Sequence, residues 1–545
     1  MKTYHSFTAN LFFFSGYNMI NLYFLLLTGF SFAHYQARNL DISRCSLESI
    51  TEVLPPGVSI NYVNFVAENG TFGDKAAVGN ATALPQGCAV GVNLISSATS
   101  SYNFALYMPT NWNSRFMATG NGGFGGFTNW AYMGMFSQYG FASMSTDTGH
   151  ISGFGDTSWA LNNPEAMMDW GYRAMHGSVV VAKAVLTAYY GSVPDYSYYV
   201  ACSTGGRQGL KEVQEFPEDF DGVLVNAPAW WTTRLGAAGV QRGILNLPSD
   251  DPKHIPVSLL QLILTEMIKQ CDPQDGITDS IVMDPYACDF RPEAMLCTST
   301  NNNASSCLTP QQINTLRQLT SDYVDVDQTF VFPKPSLGSS LAFVASGTEE
   351  PSAIGLQYVI NMVVNDTDWD WRSFDFNTVK LIDTIDPGNS TADKYDLSAF
   401  KNRGGKLIHL HGLADDTISS GASIYFYEEV YKAMQINLDD FYRMFLVPGL
   451  FHCTGSTAAP WYTGISTIGG ATHGVPGSDD ADHNGIYAIM RWVEEGIAPQ
   501  KLVATKYHED NVLRGIARQR PICPYPLKAR YVTGEIDLAD SWECA

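Results

Sequence analysis

Tyr199-Val200-Ala201-Cys202-Ser203-Thr204-Gly205-Gly206-Arg207-Gln208-Gly209 sets a serine among small residues, at the seam between two kinds of periodicity. Before it, Tyr196 to Ala201 reads as a strand; after it, Gly205 to Phe216 reads as a helix. A serine at such a seam occupies a sharp turn that lifts its Oγ above the sheet. The first amides of the following helix, with the positive end of its dipole, face the same point. The segment therefore predicts a nucleophile elbow, with Ser203 as the attacking hydroxyl and the Thr204 N–H as first donor to an oxyanion. Ala201 stands where the general G-x-S-x-G pattern has its first glycine, a change its small side chain tolerates.

On either side the sequence carries the rhythm of βα units. Phe104 to Met108, Arg115 to Thr119, Gly140 to Ser145 and Phe220 to Asn226 read as strands, and Gly171 to Tyr190 as a helix, which implies a largely parallel sheet. After Pro228 the rhythm breaks into Trp230-Trp231, Pro-rich and Asn-rich stretches and four close cysteines, 271, 288, 297 and 307. It returns with strands Lys406 to Leu410 and Phe441 to Val447 and an amphipathic helix Ala481 to Glu495. The expectation is an α/β-hydrolase fold with a large inserted lid domain. Residues 34–228 and 401–545 form the two parts of the catalytic domain, 229–400 the lid, and 1–33 a signal peptide.

In this fold the acid and then the histidine follow the nucleophile along the chain, each after a late strand. Asp415 follows Lys406-Leu-Ile-His-Leu-His-Gly412, with Asp416 beside it, and His452 follows the strand ending near Val447. His411, His473 and His483 compete for the role of base. Cys202 and Cys453 favour His452, because they adjoin Ser203 and His452, and a disulfide between them would hold nucleophile and base together. A half-cystine in that position is no thiolate nucleophile. The second oxyanion donor is expected from Gly120-Asn-Gly122-Gly123-Phe-Gly-Gly126, just past the strand ending at Thr119, with Gly122 and Gly123 the candidates. That loop lacks the Gly-Lys-[Ser/Thr] ending of a phosphate loop.

The bulk properties mainly exclude. With 32 basic against 54 acidic residues among 545, the chain carries a formal charge of −22, which argues against nucleic acid as a partner. Leu22 to Phe32, followed by Ala33, reads as the apolar core of a secretory signal, with Met19 an alternative start and an uncleaved membrane anchor the competing reading. Ten cysteines, all downstream, and sequons at Asn69, Asn80, Asn303, Asn365 and Asn389 point to an oxidising, extracellular address, with no membrane association after signal removal. No spacing supports zinc, haem or an organic cofactor.

Cys202-Ser203-Thr-Gly-Gly-Arg-Gln-Gly, Gly412-Leu-Ala-Asp415 and His452-Cys453 together resemble the CS-D-HC motif of the tannase and feruloyl esterase family. The resemblance spans essentially the whole mature chain and aligns the family's aspartate with Asp415. It implies esters of aromatic acids, feruloylated or galloylated, as substrates. Of these, hydroxycinnamate esters of plant cell-wall polysaccharide (xylan) are the first expectation and gallate esters the alternative. It also implies a structural Ca2+ in the lid, held by Asp272, Asp275 and Asp279 and the carbonyls of Ile277 and Ile281; three carboxylates around a Gly turn suit that cation. The disulfides it implies are Cys45–Cys88, Cys202–Cys453, Cys271–Cys288, Cys297–Cys307 and Cys523–Cys544. Trp230 and Trp231 read equally well as pocket walls or lid core. A secreted binding protein on an esterase-like fold is the reading from a different functional class.

Overall fold

The computed structural model describes residues 42–545 except 53, 300–302, 304, 343–346, 348 and 462–477; the expected signal segment and His473 lie outside the described residues. Apolar, β-rich runs form the strands of one nine-stranded sheet. They are β1 (Val58–Val66), β2 (Gly87–Ile95), β3 (Ser101–Pro109), β4 (Arg115–Thr119), β5 (Ala142–Thr146), β6 (Tyr196–Cys202), β7 (Gly222–Asn226), β8 (Lys406–Gly412) and β9 (Tyr442–Val447). Their order is β1-β2-β3-β5-β4-β6-β7-β8-β9. The run from β5 to β9 is parallel, and β1, β2 and β3 join it antiparallel. β4, β5 and β7 are almost wholly buried, as strands covered on both faces must be.

The core elements match the expected ones to within a few residues, and the departures have local causes. The helix expected over 171–190 begins with a π-helical stretch, Asp169–Arg173, before α2 (Ala174–Tyr190). Asp169 there anchors Arg173 at 2.6 Å and accepts from Ser96 and Ser100. The helix expected from Ala481 begins only at Gly485, because Asn484 caps it by accepting from the Ile486 N–H at 2.9 Å. Ile486, Ile489 and Trp492 form its buried face, and Gly496, at φ 72°, ends it.

Residues 229–400 enter between β7 and β8, which pair directly with each other. The segment carries α4 (Thr232–Asn246) and α5 (Val257–Cys271) and further short helices. Residues from Ile255 to Leu341 pack a hydrophobic cluster of their own, while Ala237, Val240, Tyr358, Val359 and Met362 share another with Phe124, Ala160 and Trp170 from outside the segment. All ten cysteines are bridged in the five expected pairs. Among the described residues, no helix is long and apolar enough to cross a membrane.

Candidate active site

The central turn joins β6 to α3 (Thr204–Glu215) through Ser203 at φ 62°, ψ −126°. A side chain in this region costs about 1–3 kcal/mol, so surrounding bonds must hold it there. Ser203 N donates to the Asn226 carbonyl at 2.9 Å, and the Ser203 carbonyl accepts from Arg207 N and Ala229 N, both at 3.0 Å. Ala201 explains the glycine that follows. A Cβ on Gly205 would lie 2.6 Å from the Ala201 Cβ, so the methyl that replaces the usual glycine is accommodated by an absent one on the helix.

His452 brings its Nε2 within 2.9 Å of the Ser203 Oγ, and its Nδ1 lies 2.7 Å from Asp415 Oδ2. The other Asp415 oxygen accepts from the N–H groups of Thr417 and Ile418, both at 2.9 Å. Burial opposes the charge on Asp415, but the facing His452 ring and the His411 hydrogen bond outweigh it and hold the carboxyl well below its usual value. Burial likewise opposes the imidazolium, yet the Asp415 carboxylate raises His452 above an ordinary histidine. Asp416, the spare acid, is pushed up by burial and by the charge on Asp415, and it makes no bond to the ring.

The bridge Cys202–Cys453 lies directly beside both Ser203 and His452, its Cα atoms 5.9 Å apart. Cys453 also has a positive φ, 65°. A second tie was not legible in the sequence: Asn226 gives its carbonyl to Ser203 N and its Nδ2 to the Cys453 carbonyl at 3.3 Å. Its position at the end of β7, one strand from the elbow, was the available signal.

Thr204 begins α3, where a first-turn N–H has no intrahelical acceptor. Gly120 to Gly123 run past it. Gly205 N donates to the Asn121 carbonyl at 2.7 Å, Asn121 N donates to Gln208 Oε1 at 3.0 Å, and a Cβ on Gly120 would meet Gly205 Cα at 2.6 Å. The glycine loop is thus clamped onto the elbow helix, and Thr204, Gly122 and Gly123 line the same cavity as Ser203 and His452. That cavity holds about 560 Å³ and is walled mainly by apolar groups, including Phe124, Phe127, Phe154, Trp170, Leu235 and Ile354.

The remaining candidates have other places. His411 is buried behind the acid, 3.3 Å from Asp415 Oδ2, in a chain that continues through Ser423 to His409 and Tyr442. His483 pairs with Asp480, away from the cavity. Trp230 is fully buried with its Nε1 donating to the Ala422 carbonyl, and Trp231 stacks on it; both are core rather than cavity wall.

In the acidic loop, Asp272 accepts from the N–H groups of Asp279, Ser280 and Ile281, and Asp275 from Ile277. Asp279 gives one oxygen to Arg520 at 2.7 Å, while its Oδ1 is buried without a partner. Burial pushes Asp275 up, and the Asp279 and Asp272 carboxylates add to it. An orphaned acceptor among crowded carboxylates fits an oxygen-seeking cation. Among the described residues the one trio of metal-ligand side chains with ligand atoms within 4.8 Å of one another is elsewhere, at His176, Glu212 and Asp219. There the His176 ring nitrogen already hydrogen-bonds Asp219 at 2.7 Å.

A mostly parallel sheet, an elbow between strand and helix, and acid and histidine loops after the last two strands define an α/β-hydrolase, and the class is carboxylic ester hydrolase. The model of the family described as tannase and feruloyl esterase matches residues 88–545, and the chain belongs to that family. It is similar to a Neosartorya fischeri protein named "Probable feruloyl esterase B-1", 36% identical over 84% of this chain and 86% of that one. The crystal structure of feruloyl esterase B from Aspergillus oryzae superposes with a TM-score of 0.86 at 32% identity, covering 92% of this chain and 99% of that one. Tannin acyl hydrolase from Aspergillus niger, at 22% identity and TM-score 0.73 over 92% of this chain and 95% of that one, shares the fold.

Proposed function

We propose that the chain is a secreted serine esterase that hydrolyses hydroxycinnamate esters of plant cell-wall polysaccharide. The observation that carries this reading is the line Ser203 Oγ, His452 Nε2, His452 Nδ1, Asp415 Oδ2, with its two contacts of 2.9 and 2.7 Å. In this reading His452 takes the Ser203 proton as Oγ attacks the ester carbonyl. The N–H groups of Thr204 and of Gly122 and Gly123 hold the oxyanion. The protonated ring then gives its proton to the departing alcohol, and water, activated by the same ring, releases the acid. Asp415 keeps the ring in the productive tautomer and stabilises its charge.

The relatives named feruloyl esterase B, at 36% and 32% identity, favour hydroxycinnamates over gallates. Five bridges with no free thiol suit an oxidising compartment. Asp272, Asp275 and Asp279, with the carbonyls of Ile277 and Ile281, would hold Ca2+; the ion would neutralise the crowded carboxylates and brace the loop closed by Cys271–Cys288. Turnover of methyl ferulate, caffeate, p-coumarate and gallate tests the reading. Hydrolysis of the first three with Ser203→Ala inert is the expected result; turnover of gallate alone, or an active Ser203→Ala, contradicts it.

A further inference from the structure

We infer that Arg242 forms a polar subsite at the far end of the acyl cavity that takes oxygen substituents on the aromatic ring of the substrate; this rests on the ester-hydrolase reading above. Helix α4 starts beside the elbow, where Thr232 Oγ1 donates to the Ala229 carbonyl and Ala229 N donates to the Ser203 carbonyl. From there one face of the helix, Thr232, Leu235, Gly236, Gly239 and Arg242, walls the cavity. Glycine lets the helix pack closely on the segment that carries Gly355 and Tyr358: a Cβ on Gly236 would lie 2.4 Å from the Tyr358 ring, and one on Gly239 would lie 3.3 Å from Gly355 Cα.

At the end of this apolar face stands a guanidinium. Arg242 is 5% exposed, donates once, from Nη2 to the Pro333 carbonyl at 2.7 Å, and lies 5.7 Å from the Phe332 ring centroid. Among the described residues it has no ion-paired carboxylate and no second hydrogen bond, and its remaining N–H groups are not sealed off. The surface they keep is therefore cavity wall. Arg207, the other guanidinium along the cavity, differs: three backbone carbonyls take N–H groups of its two terminal nitrogens, its Nε is sealed from the cavity without a partner, and it lies 4.2 Å over the Trp170 ring. A buried cation with free donors wants an acceptor, because leaving those donors dry is costly. Ten residues of helix span about 15 Å, and helical side chains lean back toward the N-terminus, so Arg242 reaches toward Ser203 from one acyl length away. A ring joined to its carboxyl through a two-carbon vinyl chain directs its ring oxygens toward the guanidinium; a galloyl group, with no such chain, is shorter.

The test compares kcat/KM for methyl p-coumarate, ferulate and unsubstituted cinnamate in wild type, Arg242→Met and Arg242→Lys. Wild type should favour the oxygen-bearing esters over cinnamate by about tenfold or more, the value of a charge-assisted hydrogen bond. Arg242→Met should erase that preference while cinnamate turnover, the internal check on folding, persists; Arg242→Lys should retain part of it. Equal turnover of all three esters by wild type overturns the subsite without any variant, as does an undiminished preference in a cinnamate-active Arg242→Met. A wild type inert on all three removes the hydroxycinnamate-esterase reading itself.

Discussion

Removing the bridge beside the reacting groups separates two jobs that the sulfurs do together. In the double variant Cys202→Ala, Cys453→Ala the unfolded chain regains the freedom of a loop closed across 251 residues, for which chain entropy alone gives about 5.5 kcal/mol. Measured losses are usually smaller, about 2–4 kcal/mol, so a lower melting temperature is expected with the fold retained. The catalytic loss is worked separately. Ser203 and His452 are each one peptide bond from a bridge cysteine, and apart from the Ser203 to His452 contact itself, the direct ties left between the two turns without the bridge are the 2.9 Å Ser203 to Asn226 bond and the 3.3 Å Asn226 to Cys453 bond. Two neutral hydrogen bonds contribute only about 1 kcal/mol each, too little to pin two strained turns against thermal motion. A displacement near 1 Å costs about a hundredfold in rate. The assay is kcat on a methyl hydroxycinnamate beside a thermal melt. A kcat within about twofold of wild type, with the melt lowered, would show that the bridge only staples the fold and that Asn226 suffices to align the pair.

Other outcomes follow from the same geometry. The rate, which needs neutral His452, should rise along an acid limb centred above the ordinary histidine value of about 6.5, and Asp415→Asn should depress kcat about ten-thousandfold. Stability runs the opposite way: because His452 binds its proton more tightly folded than unfolded, its contribution is complete below about pH 6.5 and fades as pH rises through the folded value, which a pH series of melts on wild type and His452→Gln resolves. His411→Phe should leave Asp415 Oδ2 with one partner fewer, shift the acid limb and lower kcat by several-fold with an intact fold; an unmoved limb would make His411 purely structural. Chelation should lower the melting temperature and leave kcat at saturating substrate nearly unchanged, and a melt indifferent to chelator would exclude calcium from the acidic loop. Peptide mapping should find Asn365 bare, because its Nδ2 donates to Asn162 Oδ1 at 2.7 Å while its own Oδ1 accepts from the Asn162 N–H, a double tie that Asn69 and Asn80, equally exposed, do not make.

What the sequence disclosed about the fold depended on how local each signal was. The elbow, the acid loop and the histidine loop are each written in a dozen consecutive residues, where a change of period from two to 3.6, or a carboxylate after an apolar run, is visible without tertiary knowledge. The antiparallel strand β1 went unread because its polar residues, Ser59, Asn61 and Asn64, lose their alternation at the register shift between Ile60 and Tyr62. Strands β10 (Leu502–Tyr507) and β11 (Ile516–Ile522) pair only with each other and carry no βα rhythm to mark them. Trp230 and Trp231 were ambiguous for a different reason: an aromatic pair after a strand looks the same whether it faces substrate or core, and only the Ala422 carbonyl waiting for the Trp230 Nε1 decides.

The acid side of the site shows why the choice among histidines needed the third dimension. His409 and His411 both lie in β8, closer in sequence to Asp415 than His452 is, and alternation places the two on one face of the strand. There both rings are fully buried and meet the single hydroxyl of Ser423, at 2.8 and 2.6 Å. Burial drives His409 well below its ordinary value, the proximity of His411 adding to it, so a proton taken up there has no charged partner to hold it. Among the described histidines His452 alone combines a carboxylate behind it with a side chain 21% exposed that lines the cavity. A ring that must both receive a proton from Ser203 and return it to a leaving group needs that combination: a counter-charge on one nitrogen and an open cavity at the other. Sequence distance selects against it, since Asp415 and His452 lie on loops after different strands, and the parallel register of β8 with β9, Gly412 opposite Val447, is what brings those two loops to the same edge.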